Sequence, residues 1–322
     1  MSNYGGGLLA GVAINGLPLG LVHPGKVFWV SNVSTAAAIP TGHRPGSDSA
    51  ATPGSFTRPF ATVDYAIGRC TASRGDVIVV KPGHAETLAT AGAITSDVAG
   101  VAIVGLGTGS SRPTFTWNVA GATWSVTAAN LSFYNLLFVG SLLDPGVTTL
   151  LNVTGTADGL TFDNVEMKDA SATLTYITGL TLATGVDNLT ITNSKFSSAG
   201  TELLSFISGV AHDGLYISNS SFLMNGVQDT LTGIIVTSGN ATNVLIKDSY
   251  FRSFIDGALI LDFNGTANGG LIANCYFSSN DAADANTVGV DFTGGHCFEC
   301  YFTGDADSFG IAGGGAAIYN NA

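Results

Sequence analysis

The chain has 322 residues, of which 34 are charged, 23 acidic and 11 basic, for a formal net charge of -12. Its charged fraction of 11% is less than half the roughly 25% of an average soluble domain, while 43 Gly, 9 Pro and a 45% hydrophobic content exclude a disordered or collagen-like chain. Eleven scattered cations give no footprint for a phosphate backbone, and no run approaches about eighteen uninterrupted apolar residues, so neither nucleic acid nor membrane is expected as a partner.

Residues 1–57 read as an N-terminal arm and linker. The opening MSNYGGGLLAGVAINGLPLGLV is apolar and Gly-rich but has no basic start, so it is not read as a signal peptide, and TGHRPGSDSAATPGS at 41–55 has the composition of a flexible connection. Residues 58–322 read as one repetitive domain. It opens with a capping helix over 58–75, in which Phe60, Val63, Ala66 and Ile67 share a face, and continues into a strand over Val77–Val80 and a turn at Pro82 and Gly83.

From residue 130 onward the chain repeats itself. The segments NLSFYNLLF (130–138), GLTFDNVEM (159–167), NLTITNSKF (188–196), GLYISNSSF (214–222), NVLIKDSYF (243–251), GLIANCYF (270–277) and GHCFECYF (295–302) align, with steps of 29, 29, 26, 29, 26 and 25 between their central polar residues. Apolar residues alternate within each copy, which is strand periodicity with one buried face, and a second short apolar run precedes each copy. Two or three short strands per repeat, joined by Gly, Ser, Asn and Thr, describe a coil of a parallel β-solenoid. Like residues of successive coils then stack at about 4.8 Å. The central residues Asn135, Asn164, Asn193, Asn219 and Asn274 are expected to form an inward structural ladder at a tight bend, interrupted by Asp248 and Glu299, because Asn tolerates the left-handed region.

With the helix ahead of the repeats, residues 58–322 resemble the pectin-lyase-like superfamily of right-handed parallel β-helices, whose members often begin with such a cap. The resemblance implies an all-β, single-stranded right-handed parallel β-helix with a short N-terminal capping helix and an extended N-terminal arm, and counting from Asp76 at 25–29 residues per coil gives about nine coils. Polygalacturonase-like members carry paired Asp residues; this chain has no Asp-Asp pair, and its basic residues after 120 are Lys168, Lys195, Lys247 and Arg252. One carboxylate pair remains. Asp262 and Asp291 occupy the same place in successive coils, where stacking would set them about 5 Å apart, near the separation of a retaining glycosidase. His212 and His296 read as surface residues. No cofactor or metal is expected, because Cys297 and Cys300 read as pointing to different faces and no zinc spacing exists. Cys275 and Cys300 share a repeat position and should stack, which makes a disulfide between them sterically possible.

The outward positions change along the chain. One column runs Leu137, Glu166, Lys195, Ser221, Tyr250, Tyr276, Tyr301, and another runs Ser132, Thr161, Thr190, Tyr216, Leu245, Leu271, His296. Exposed aromatic and apolar residues such as Tyr250, Tyr276, Tyr301, Leu245 and Leu271 mark an interaction surface. A solenoid this poor in charge, with mean hydropathy of +0.35, is expected to bury part of its exterior in a homotrimer. The combination resembles trimeric β-helical capsid decoration proteins of tailed bacteriophages. That resemblance implies a non-catalytic virion protein on the capsid exterior, made in the host cytoplasm and bound to the major capsid protein lattice. The alternative is a tailspike-like protein that binds or degrades host-surface polysaccharide, with Asp262 and Asp291 as its catalytic pair.

Overall fold

The computed structural model describes residues 13–14, 17–18, 25–34, 39, 41–224, 233–253, 259–279 and 290–303. Apart from a short antiparallel pair, Ala13–Ile14 with Leu17–Pro18, the strands form three sheets of ten, nine and eight strands, every pairing within them parallel. Each coil visits the sheets in turn, as in Leu189–Thr192 of the first, Lys195–Ser198 of the second and Ser205–Gly209 of the third. The eight-stranded third sheet sets eight complete coils, slightly fewer than the expected nine, and His296–Phe298 with Tyr301–Thr303 begins another. The expected parallel β-helix is the observed fold.

The repeat steps survive in the hydrogen-bonding register. Ser132 pairs with Thr161, Thr161 with Thr190, Thr190 with Tyr216, Tyr216 with Leu245, Leu245 with Leu271 and Leu271 with His296, which reproduces the six sequence steps. Inside, identical rings stack face to face: Phe196 on Phe222 at 4.7 Å, Phe222 on Phe251 at 5.0 Å and Phe251 on Phe277 at 5.1 Å between centroids. Each is fully buried, a gain of about 1.5–3 kcal/mol per side chain. Toward the start of the rod the same space is filled by the edge-packed rings of Trp117, Trp124, Phe115 and Phe138.

The bend between the first and second sheets explains why Asn recurs. Asn135, Asn164, Asn193, Asn219, Asp248, Asn274 and Glu299 all have φ between 48° and 54°. This left-handed backbone costs most residues about 1–2 kcal/mol and Asn less. The ladder does not point inward as expected. From Asn164 onward these side chains are exposed, and the next residue is buried: Val165, Ser194, Ser220, Ser249, Cys275 and Cys300. A left-handed residue interrupts the strand alternation, so the side chain after it drops inside. Each Ser hydroxyl donates to the carbonyl two residues back, and each accepts the backbone N–H of the coil before it, as Ser220 does from Ser194. A second left-handed row runs through Gly100, Asn130, Gly159, Asn188, Gly214 and Asn243, just before the first-sheet strands or, for Gly214 and Asn243, within them.

The start of the rod is closed by a helix confined to Val63–Ile67, much shorter than the expected 58–75. Thr62 caps it through Tyr65 N–H, Gly68 ends it, and Val63, Ala66 and Ile67 are its buried face. After it the chain turns around Asp76, whose carboxylate accepts from Arg74, Thr71 N–H and Lys26 N–H. Within residues 1–57, Val27–Val30 forms the outermost strand of the first sheet, and Phe56 packs edge-on against Trp29 at 4.8 Å.

Candidate functional site

Among the described residues, four of the nine exposed large apolar side chains lie together at the last coils. Tyr276 is 39% exposed and Tyr301 49% on the second sheet, and Leu271 is 38% and Phe298 49% on the first, with the Asn274 and Glu299 bends between the two sheets. Tyr250, Tyr276 and Tyr301 are direct register partners, one ring per coil, and the first two rings lie 5.3 Å apart. Beside them runs a groove of about 530 Å³, floored by Ser220, Ser249 and Cys275 and walled by Asn219, Asp248, Asn274 and the three tyrosines. No Lys or Arg lines it. Leu245 is half-buried in the adjoining first-sheet column next to Leu271.

The register places Tyr250, Tyr276 and Tyr301 in one column as the sequence column has them, and adds Phe298, Asp248 and the serine floor, which that column does not include. Phe298 was legible: it lies two positions beyond His296 in an alternating strand, hence on the same outer face. The floor was not, because it depends on the bend that turns the residue after each Asn inward.

Asp262 and Asp291 are paired in register as expected, on the third sheet, both half-buried. Burial raises the Asp262 carboxyl above its ordinary value, and the charge of Asp291 adds to this. The pair lies on a different sheet from the tyrosine column, and neither residue lines the groove. The structure thus does not bring the two parts of the alternative site together. A smaller recess of about 320 Å³ lies where the second sheet turns into the third, lined by Asp144, Thr173, Thr175 and Glu202 among others.

His212 departs from its surface assignment. It is 6% exposed, and neither ring nitrogen has a hydrogen-bond partner. Burial holds its imidazole below the ordinary value against the opposing pull of Asp187 and Asp213. His296 is exposed as expected. Cys297 and Cys300 do not point to different faces: both are 7% exposed and face the interior with Cys275. Hydrogen bonds from Cys275 and Cys297 converge on Cys300 and push its thiol below the ordinary range, while theirs are pushed up by the same contacts. Among the described residues no group of three His, Cys, Asp or Glu is arranged to hold a metal ion, and no helix is long and apolar enough to cross a membrane.

These features define a charge-poor parallel β-helix with an aromatic groove along one corner. A solved structure described as a rhamnogalacturonan lyase superposes with a TM-score of 0.52, covering 85% of this chain and 74% of that one at 14% identity. At that identity the likeness establishes the fold. Neither a family model nor a curated protein matches the sequence. That solved neighbour is an enzyme by its description, which corrects the expectation that a chain of this fold and composition has no catalytic role. The absent Asp-Asp motif excludes one hydrolase pattern, which is narrower than excluding catalysis.

Proposed function

We propose that this chain recognises a polysaccharide laid along the corner between the first and second sheets. The observation that carries the reading is the exposed column of Tyr250, Tyr276 and Tyr301 above a groove lined by Asn, Ser and Asp. The C–H face of a sugar ring stacks on an aromatic face, while its hydroxyls need small polar side chains. A coil step of about 4.8 Å offers this set again at each turn, as a chain of repeating units requires. Asp248 in the wall, with no cation opposite, selects a chain without carboxylates.

Calorimetric titration against neutral glucans, mannans and xylans beside polygalacturonate tests this. One or more neutral chains should bind, and Tyr276→Ala with Tyr301→Ala should weaken binding at least tenfold. Undiminished binding by the double variant, or a preference for the uronate, would overturn the reading. Release of reducing ends or unsaturated sugars in the same panel reports cleavage.

A second reading, a homotrimeric decoration protein on a major capsid protein lattice at the virion exterior, is supported by one feature. The outward column of the third sheet, Ser125, Asn152, Thr181, Ser208 and Val236, carries no charge through five successive coils. Such a flat face suits contact between copies. Sedimentation equilibrium should then give a trimer that Thr181→Glu with Ser208→Glu dissociates; a monomer at high concentration would end this reading.

A further inference from the structure

We propose that Cys275 and Cys300 are a disulfide-forming site, oxidised by small-molecule disulfides, with Cys297 as the adjacent thiol that hydrogen-bonds Cys300. Register brackets the pair on both sides: Ala273 is opposite Phe298 and Tyr276 opposite Tyr301, so Cys275 lies opposite Cys300 in neighbouring coils. Adjacent strands lie about 4.8 Å apart, inside the roughly 4.4–6.8 Å Cα window of a disulfide. Tyr301 N–H donates to the Cys275 carbonyl at 2.9 Å, which holds the two bends together.

Both thiols belong to the inward column that is Ser at 194, 220 and 249 and becomes Cys at two consecutive coils. Their contacts copy the hydroxyls: Cys275 Sγ donates to the Ala273 carbonyl at 3.3 Å and Cys300 Sγ to that of Phe298 at 3.5 Å. The Ser column already fits this space, so packing alone does not call for sulfur. Cys297 faces the same interior from the first sheet, three residues before Cys300, and its hydrogen bond to Cys300 favours the thiolate there. Cys275 borders the groove but is fully buried, whereas Cys300 is 7% exposed in the last described coil, so a small oxidant meets Cys300 first.

The chemistry balances. The Cys300 thiol loses a proton to solvent, its thiolate attacks one sulfur of the oxidant's disulfide, and one thiolate leaves. The Cys275 thiol then loses its proton, attacks the Cys300 sulfur and expels the second thiolate. Two protein thiols are oxidised to one disulfide, and the oxidant is reduced to two thiols.

Folded full-length protein is incubated with oxidised glutathione, then unfolded, alkylated, digested with chymotrypsin and mapped by mass. The expected product is a Cys275–Cys300 linked peptide pair, with Cys70 and Cys297 alkylated. Cys297→Ser keeps that link, and Cys300→Ser abolishes every link; Ser is this column's own residue, so Cys300→Ser folds. Alkylation of all four cysteines in the oxidised protein, or a link that survives in Cys300→Ser, overturns the proposal.

Discussion

The outward column of the second sheet, after Ala85, Thr114 and Leu137, passes through two different surfaces. At Glu166 and Lys195 it is ionic: Glu166 meets Arg112 at 3.3 Å in a half-buried pair and Lys195 at 3.9 Å in a more exposed one, the latter worth at most about 1 kcal/mol. Two coils beyond Lys195 it becomes aromatic, with Tyr250, Tyr276 and Tyr301 in the same register positions. The inward column next to it hardly changes, running Phe138, Met167, Phe196, Phe222, Phe251 and Phe277. Stacking constrains the interior to one residue type because each ring is its neighbour's packing surface. The exterior is free of that constraint, so a change of chemistry outside an unchanged inside marks what the rod is for.

The contrast breaks most visibly at adjacent inner and outer positions. Phe222→Ala removes a ring sandwiched between Phe196 and Phe251 and leaves a cavity that the flanking coils cannot close, at a cost of about 3–5 kcal/mol. Tyr276→Ala, one strand position outside the core, should cost under about 1 kcal/mol and lose glycan binding instead. Urea denaturation followed by far-UV circular dichroism, run beside the titrations, checks both. A Tyr276→Ala variant as unstable as Phe222→Ala would mean the tyrosine column is structural.

The same division governs what the sequence disclosed. The coil steps were legible because each strand residue faces its counterpart in the next coil, so register inherits the repeat, and the tyrosine column followed from simple alternation. What alternation cannot show is a bend. At Asn193 or Asn219 a positive φ reverses the in-and-out count for one residue, so the amide ladder turned out exposed and the serine and cysteine row behind it buried. The second left-handed row was in plain view, as the alternating Asn and Gly that open the repeats at 130, 159, 188, 214 and 243. His212, at the first position of its strand in a stretch that reads as a turn, gave no local sign of its burial.

The acidic pair offers the smallest effect and a test of whether the third sheet is also more than a wall. Burial and the neighbouring Asp291 charge raise the Asp262 carboxyl, so the folded chain holds that proton more tightly than the unfolded chain does. The ionised pair therefore disfavours the fold at neutral pH. The strain is relieved as pH falls through the raised value toward the ordinary Asp value of about 3.9. Asp291→Asn removes the charge contribution and leaves burial, the larger cause, in place. Its thermal midpoint should exceed that of the parent chain by a degree or two, roughly, at pH 7, and the gap should close as both are acidified below the carboxylate range. A gap that stays constant with pH would show that the two carboxylates do not sense one another. A variant less stable than the parent at pH 7 would show instead that the ionised pair is held by something that welcomes two negative charges on that face.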